Sequence, residues 1–228
     1  MNTTKLQITI RFTALLLLST SASLCAADAP MRLNPVPGGQ SKVRIEGTSS
    51  IHDWQVESRL IGGYLEVGPG FPVEPGQAVK PGKVDAKVDV FIPVRQLKSV
   101  EKDGRPYSDS MDDIMYGKLL EPANPRILYH LDELVLKEAP QGTNAAYVFD
   151  ATGQLVVAGV TNKMSMPVEI TPLGNKRVKI TGHTAVKMTD FAIKPPAPAI
   201  ALGLIKTGDE VKLIFEWVVG QKAAAAER

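Results

Sequence analysis

The sequence has a single cysteine, Cys25, and it lies in the first segment of the chain. If that segment is removed, no disulfide, thiol nucleophile or thiolate ligand is left to the folded protein. Histidines number three, with no His-x-His pair, so a zinc site of three or four converging ligands is not expected. Aromatics make up 6% of residues, too few for the aromatic girdles of a membrane-spanning barrel, and the polar strand faces are charged. The Ala14–Leu18 apolar run is too short for a bilayer anchor. No G-x-S-x-G elbow occurs, which argues against a hydrolase of that kind.

Charge of one sign is also missing. Lys5 and Arg11 precede the apolar run, and the small residues Ser19–Ser23 follow it. This order predicts a secretory signal at residues 1–27, cut after Ala27, with Cys25 and Ala27 as the small residues before the cut. Leu24 stands where lipidation of Cys25 would require a small residue, so a lipoprotein signal is not expected. The precursor holds 26 Lys+Arg against 24 Asp+Glu; the cut removes two basic groups and leaves the charges equal. Nucleic-acid binding needs an excess of positive charge to displace counterions and is not expected. The remaining 201 residues predict one domain, 28–220, followed by a disordered tail at 221–228.

What is present is alternation. Val84, Ala86, Val88 and Val90 share one face of residues 83–90, with Lys and Asp on the other. Met164, Met166, Val168 and Ile170 repeat the pattern. So do Val178, Ile180, Gly182, Thr184, Val186 and Met188, and then Val211, Leu213, Phe215, Trp217 and Val219. Period two with one apolar face predicts half-buried antiparallel strands. Turns are expected at Leu173-Gly174-Asn175 and Thr207-Gly208-Asp209. Within 147–160, the run Leu155–Val160 reads as a strand covered on both faces. Pro167 demands an edge or bulge, because it cannot donate to a ladder. Residues 68–82 and 194–203, rich in Pro and Gly, read as mobile rims.

One segment has helical spacing. Met111, Ile114, Met115 and Leu119 predict an amphipathic helix over 110–119, with Ser110 and Asp113 as a capping box and Pro122 and Pro125 ending it. The helix either packs on the barrel as core or covers a cavity mouth. Asp112 and Asp113 point apart and read as complements of the helix N-terminus.

The stretch GTSSIHDW, residues 47–54, switches the parity of the large apolar residues from Val43 and Ile45 to Trp54 and Val56. A strand does this only through an extra residue or a bend, so a bulge or corner is expected. His52 and Asp53 are neighbours on opposite faces, which favours a hydrogen-bonded structural role for His52 over a ligand contact. His183, between Lys179 and Lys187, reads as solvent-exposed.

GTSSIHDWQVES followed by Gly62-Gly63 resembles the opening strand of the YceI-like family, a group of lipocalin-like, polyisoprenoid-binding secreted proteins. Further matches follow in order: Ile92-Pro93-Val94 to Leu97-Lys98-Ser99; Met111 to Leu119, then Asn124-Pro125-Arg126-Ile127; Gly153-Gln154-Leu155 before Gly159–Lys163; and Met188–Pro196, then Gly208-Asp209. Together they span most of residues 42–218. The resemblance implies an all-β fold: an antiparallel lipocalin-like barrel of about eight strands with one short helix near residues 110–120. It also implies an elongated apolar cavity that binds isoprenoid chains, such as quinone or polyprenyl tails, without catalysis. Ala86, Gly182 and Thr184 are small inward positions that favour a hollow over a filled barrel. The methionines would give an adaptable lining.

Candidate ligand-contacting residues are His52, Trp54, Val88, Met111, Ile114, Met115, Tyr129, Met166, Phe191 and Phe215, with any polar head at the mouth. No catalytic residue, metal or resident cofactor is expected, apart from a bound isoprenoid quinone or polyprenyl lipid. The expected location is the periplasm, and a homodimer is left open. The rival reading is a protein-interaction module whose barrel core is filled.

Overall fold

The structure, a computed structural model, describes residues 29–38, 40–142, 145–197 and 206–221. The expected signal at 1–27 lies outside these residues. So do 198–203 of the second rim loop and 222–228 of the expected tail.

Twelve strands form one sheet. In chain order they are β1 (Met31–Pro35), β2 (Lys42–Ser49), β3 (Trp54–Ser58), β4 (Gly62–Val67), β5 (Gly82–Lys83), β6 (Ala86–Pro93), β7 (Lys98–Val100), β8 (Arg126–Glu138), β9 (Tyr147–Val157), β10 (Val160–Gly174), β11 (Arg177–Lys187) and β12 (Thr207–Gly220). One α-helix, α1 (Asp109–Lys118), sits between β7 and β8. Eight strands close into an antiparallel barrel in the order β1-β4-β6-β8-β9-β10-β11-β12, sealed where Asn34 and Pro35 of β1 pair with Gly220 and Val219 of β12. The other half of β12 pairs with β2, and β3 and β7 continue from there as a flap. The strand alternation becomes an apolar inside and a charged outside.

GTSSIHDW is the reversal of a hairpin, not a bulge in one strand. β2 ends at Ser49, β3 starts at Trp54, and Gly47 pairs with Trp54. The parity change follows because the chain turns back. Ser49 Oγ holds the turn, accepting from the amides of Ile51 and His52 and donating to His52 O.

Leu155–Val160 is likewise two strands and a turn. Val157 pairs with Val160, and Ala158 (φ 50°) and Gly159 (φ 82°) form the two-residue loop. Positive φ at both central residues matches the right-handed twist of the flanking strands. The expected turn at 173–175 is present, with Asn175 (φ 53°) and Lys176 (φ 52°) as its centre. Thr207-Gly208-Asp209 is not a turn: it opens β12, where the register with β2 shifts between Thr207 and Val211. The alternating stretch 83–90 is broken after Lys83. β5 pairs with β8, whereas β6 pairs with β4 and β8. Pro167 stands where the β10–β11 ladder ends, since pairing begins at Val168↔Gly182.

The 68–82 segment is a packed floor rather than a mobile rim. Phe71 is 1% exposed and stacks on Phe149 with ring centroids 6.4 Å apart. Gln77 accepts from the amides of Val73 and Glu74 and donates to Phe71 O. The Tyr147 hydroxyl donates to Gln77 O. Burial of an aromatic outweighs the loop-forming composition around it.

Candidate functional site

Inside the barrel is a cavity of about 510 Å³. It runs from a floor formed by Phe71, Ile170, Ile180 and Trp217 to a mouth bounded by Ile51, His52, Tyr107, Ser110 and Lys118. Lys118 is the single charged side chain on its lining among the described residues. The inward faces of the long strands supply the walls: Val88 and Val90 from β6, Met164, Met166 and Val168 from β10, and Leu213 and Phe215 from β12. The volume falls within the range of about 300–1,000 Å³ usual for small-molecule sites.

The helix covers the mouth. Its N-cap is Ser108, not Ser110: Ser108 Oγ accepts from Met111 N at 3.3 Å. Asp112 is not a simple complement to the helix N-terminus. It is 4% exposed and accepts from Ser99 N at 2.6 Å, while Lys98 Nζ lies 3.0 Å away. One turn further, the Tyr116 hydroxyl donates to Leu97 O at 2.9 Å. Asp112 and Tyr116, four residues apart, therefore dock one helix face on the β7 flap. Met111, Ile114, Met115 and Lys118 line the cavity from another.

His52 Nδ1 faces Asp53 O at 2.7 Å, and Nε2 faces the Tyr107 hydroxyl at 3.2 Å. A carbonyl only accepts, so Nδ1 donates to Asp53 O, while Nε2 shares a hydrogen bond with the Tyr107 hydroxyl. His52 thus fixes the corner and lines the mouth at once. Trp54 Nε1 donates to Thr48 O at 3.2 Å, placing the indole on the lumen wall. Phe191 lies in a 3₁₀ turn, Met188–Phe191. That turn is held by Asn162 Nδ2 donating to Asp190 O, and by Thr189 donating to Asp209.

Two polar atoms of lining residues are buried behind the cavity wall. The Tyr129 hydroxyl and Trp217 Nε1 are buried and, among the described residues, have no hydrogen-bond partner. An unpaired buried donor costs about 1–3 kcal/mol. Burial, with a smaller contribution from Asp132, pushes the Tyr129 phenol up to about 12, so near neutral pH it keeps its proton and remains a donor.

Every candidate residue of the sequence analysis lines this one cavity: His52, Trp54, Val88, Met111, Ile114, Met115, Tyr129, Met166, Phe191 and Phe215. Gly182 does not open space for a guest. The Phe215 ring occupies that space, and a Cβ on Gly182 would lie 2.6 Å from Phe215 Cζ. Sequence reasoning missed Trp217, although it shares the inward parity of Phe215. It also missed Tyr107, which carries no periodic signal. His183 is exposed on β11, away from the lumen.

The geometry defines a small antiparallel barrel with a hollow apolar interior and a helix over one end. The YceI-like domain family matches residues 71–219, more than half of the chain, and the chain belongs to that family. The match begins at Phe71, so GTSSIHDW does not carry it. Among solved structures, BcnA of Burkholderia cenocepacia is similar at 17% identity and a TM-score of 0.54, covering 78% of this chain and 95% of its own. A polyisoprenoid binding domain from Saccharophagus degradans, implicated in plant cell wall breakdown, is similar at 10% identity and a TM-score of 0.60. That likeness covers 85% of this chain and 100% of the other. At these identities the likenesses show the fold. No curated protein matches the chain. No described helix is long and apolar enough to cross a membrane.

Proposed function

We propose that the protein binds, carries or sequesters the hydrocarbon chain of an amphiphile, of isoprenoid type, within its barrel, without catalysis. The observation that carries this reading is the apolar lumen of about 510 Å³ beneath α1. Burial of a chain there contributes about 0.8 kcal/mol per methylene, enough to retain a long chain without a charged partner on the walls. Family membership and the Saccharophagus degradans domain, whose description names polyisoprenoid binding, support an isoprenoid as the chain. Periplasmic location rests on the signal expected at residues 1–27. A resident quinone or polyprenyl lipid fits the same lumen, and a homodimer is the assembly this reading allows. A filled-core interaction module fits poorly with a hollow of this size.

Native mass spectrometry of protein purified from its own compartment tests the reading. A reproducible adduct in the lipid mass range, released by solvent extraction, is expected. Protein that is bare in every preparation, and that takes up no added polyprenyl lipid, would overturn it.

A further inference from the structure

The barrel wall is not laced along its whole height. β10 and β11 pair from Gly174↔Arg177 as far as Val168↔Gly182, and there the ladder stops. Beyond it, residues 160–167 of β10 pair with β9 alone, and residues 183–187 of β11 pair with β12 alone. Pro167 sits at the fork and has no N–H with which to continue the ladder. The two sides meet again higher up, where Asn162 Nδ2 donates at 2.7 Å to Asp190 O in the turn after β11. A window therefore stands in the wall, with Val168 and Gly182 as its sill and Asn162 and Asp190 as its lintel. Outside it lies a groove of about 710 Å³. Thr184 and Phe215 line both this groove and the lumen. Above the sill, side chains rather than a hydrogen-bonded strand pair separate the two spaces, and a rotamer change moves such a partition without breaking a ladder.

The groove differs from the lumen in kind. At its edge, Lys42 and Arg44 are each held at 2.7 Å by Glu57, and Glu216 faces Lys179 at 3.9 Å. Lys212, His183 and Glu169 also line it, and they have no hydrogen bond or ion pair among the described residues. The ammonium donates and the carboxylate accepts, and their charges offset. We infer that the guest leaves its polar end in this groove: the hydrocarbon lies in the lumen, and an uncharged hydrogen-bonding head, such as a hydroxyl, passes between β10 and β11 to Lys212, His183 and Glu169. This rests on the carrier reading and adds a head-group subsite in the barrel wall, apart from the mouth under α1. A head seated there keeps its contact with water, so its polar atoms escape the cost of burial in an apolar lumen.

Two photoaffinity probes test this: geranylgeraniol with a diazirine beside its hydroxyl, and geranylgeraniol with the diazirine at its far terminus. Each is irradiated in the full mature protein, and the adducts are mapped to residues by mass spectrometry. The hydroxyl-end probe is expected on outward residues of the groove, such as His183 and Lys212, and the terminal probe on the lumen methionines. Thr184→Phe fills the window and is expected to cut the groove adducts about tenfold; should that variant fail to fold, the wild-type map decides. Hydroxyl-end adducts confined to the mouth around α1 overturn this inference and leave the carrier reading standing. Groove adducts from both probes mark adsorption on the outer surface and also overturn it, as do groove adducts undiminished in folded Thr184→Phe. If neither probe reacts with any lumen residue, the carrier reading falls and this inference with it.

Discussion

Gly47 lies directly beneath the indole of Trp54, its cross-strand partner in the β2–β3 hairpin; a Cβ there would lie 2.2 Å from Trp54 Cζ2. The two ends of GTSSIHDW are thus coupled. The bare glycine lets the indole lie flat on the wall, where its Nε1 reaches Thr48 O. Gly47→Ala is expected to displace the ring and cost about 1–3 kcal/mol through overpacking. A lowered urea midpoint and a shifted tryptophan emission would register this. An unchanged midpoint would show that the ring is free to move aside.

The docking of α1 depends on Asp112. Asp112→Ala leaves the Ser99 amide without its acceptor, at a cost of about 1–3 kcal/mol. Hydrogen exchange is expected to accelerate across residues 108–119 while the barrel strands keep their protection. Asp113→Ala, at an exposed position, serves as the control and is expected to leave the exchange unchanged.

The helix also faces the lumen. Met115→Asp places a carboxylate on the cavity wall and is expected to weaken retention of a polyprenyl chain by tenfold or more. Barrel circular dichroism should stay unchanged. Full retention with an intact fold would remove α1 from the binding surface.

Acid should loosen the barrel through two carboxyls. Burial alone would raise Glu57, but the hydrogen bonds and charges of Lys42 and Arg44 outweigh it and hold the group below its usual 4.5. The Tyr64 hydroxyl outweighs the opposing effect of burial and, with lesser help from His130 and Lys87, holds Asp89 below its usual 3.8. Both groups bind protons more weakly folded than unfolded. Their stabilisation is therefore full above about pH 4.5 and is lost as pH falls through the lower folded values. Urea melts between pH 6 and pH 3 should show that decline, and Glu57→Gln and Asp89→Asn should each flatten it.

Much of the barrel is legible in the sequence because its strands are apolar on one face only. Val88, Met166 and Phe215 announce their orientation by the charged residues beside them. The reversals were harder to read. Ala158-Gly159 is an apolar turn between apolar strands, so nothing polar marks it. A parity switch such as that across GTSSIHDW has two physical causes, a bulge or a hairpin, and alternation alone does not choose between them. Phe71 disappears among the prolines and glycines of its loop, although its burial fixes the floor. Ser108 rather than Ser110 caps α1 because Ser99 holds the backbone of Ser108 at both its amide and its carbonyl, a contact between distant segments that local sequence does not show.

The two tryptophans of the chain offer the most direct test. Trp54 lines the lumen near the hairpin corner, and Trp217 lines its floor. A polyprenyl chain brominated along its length, titrated into the mature protein, should quench both emissions, each lifetime component falling at the same stoichiometry. Emission left unquenched at saturating lipid, with the fold intact, would contradict a hollow lumen that shelters the chain.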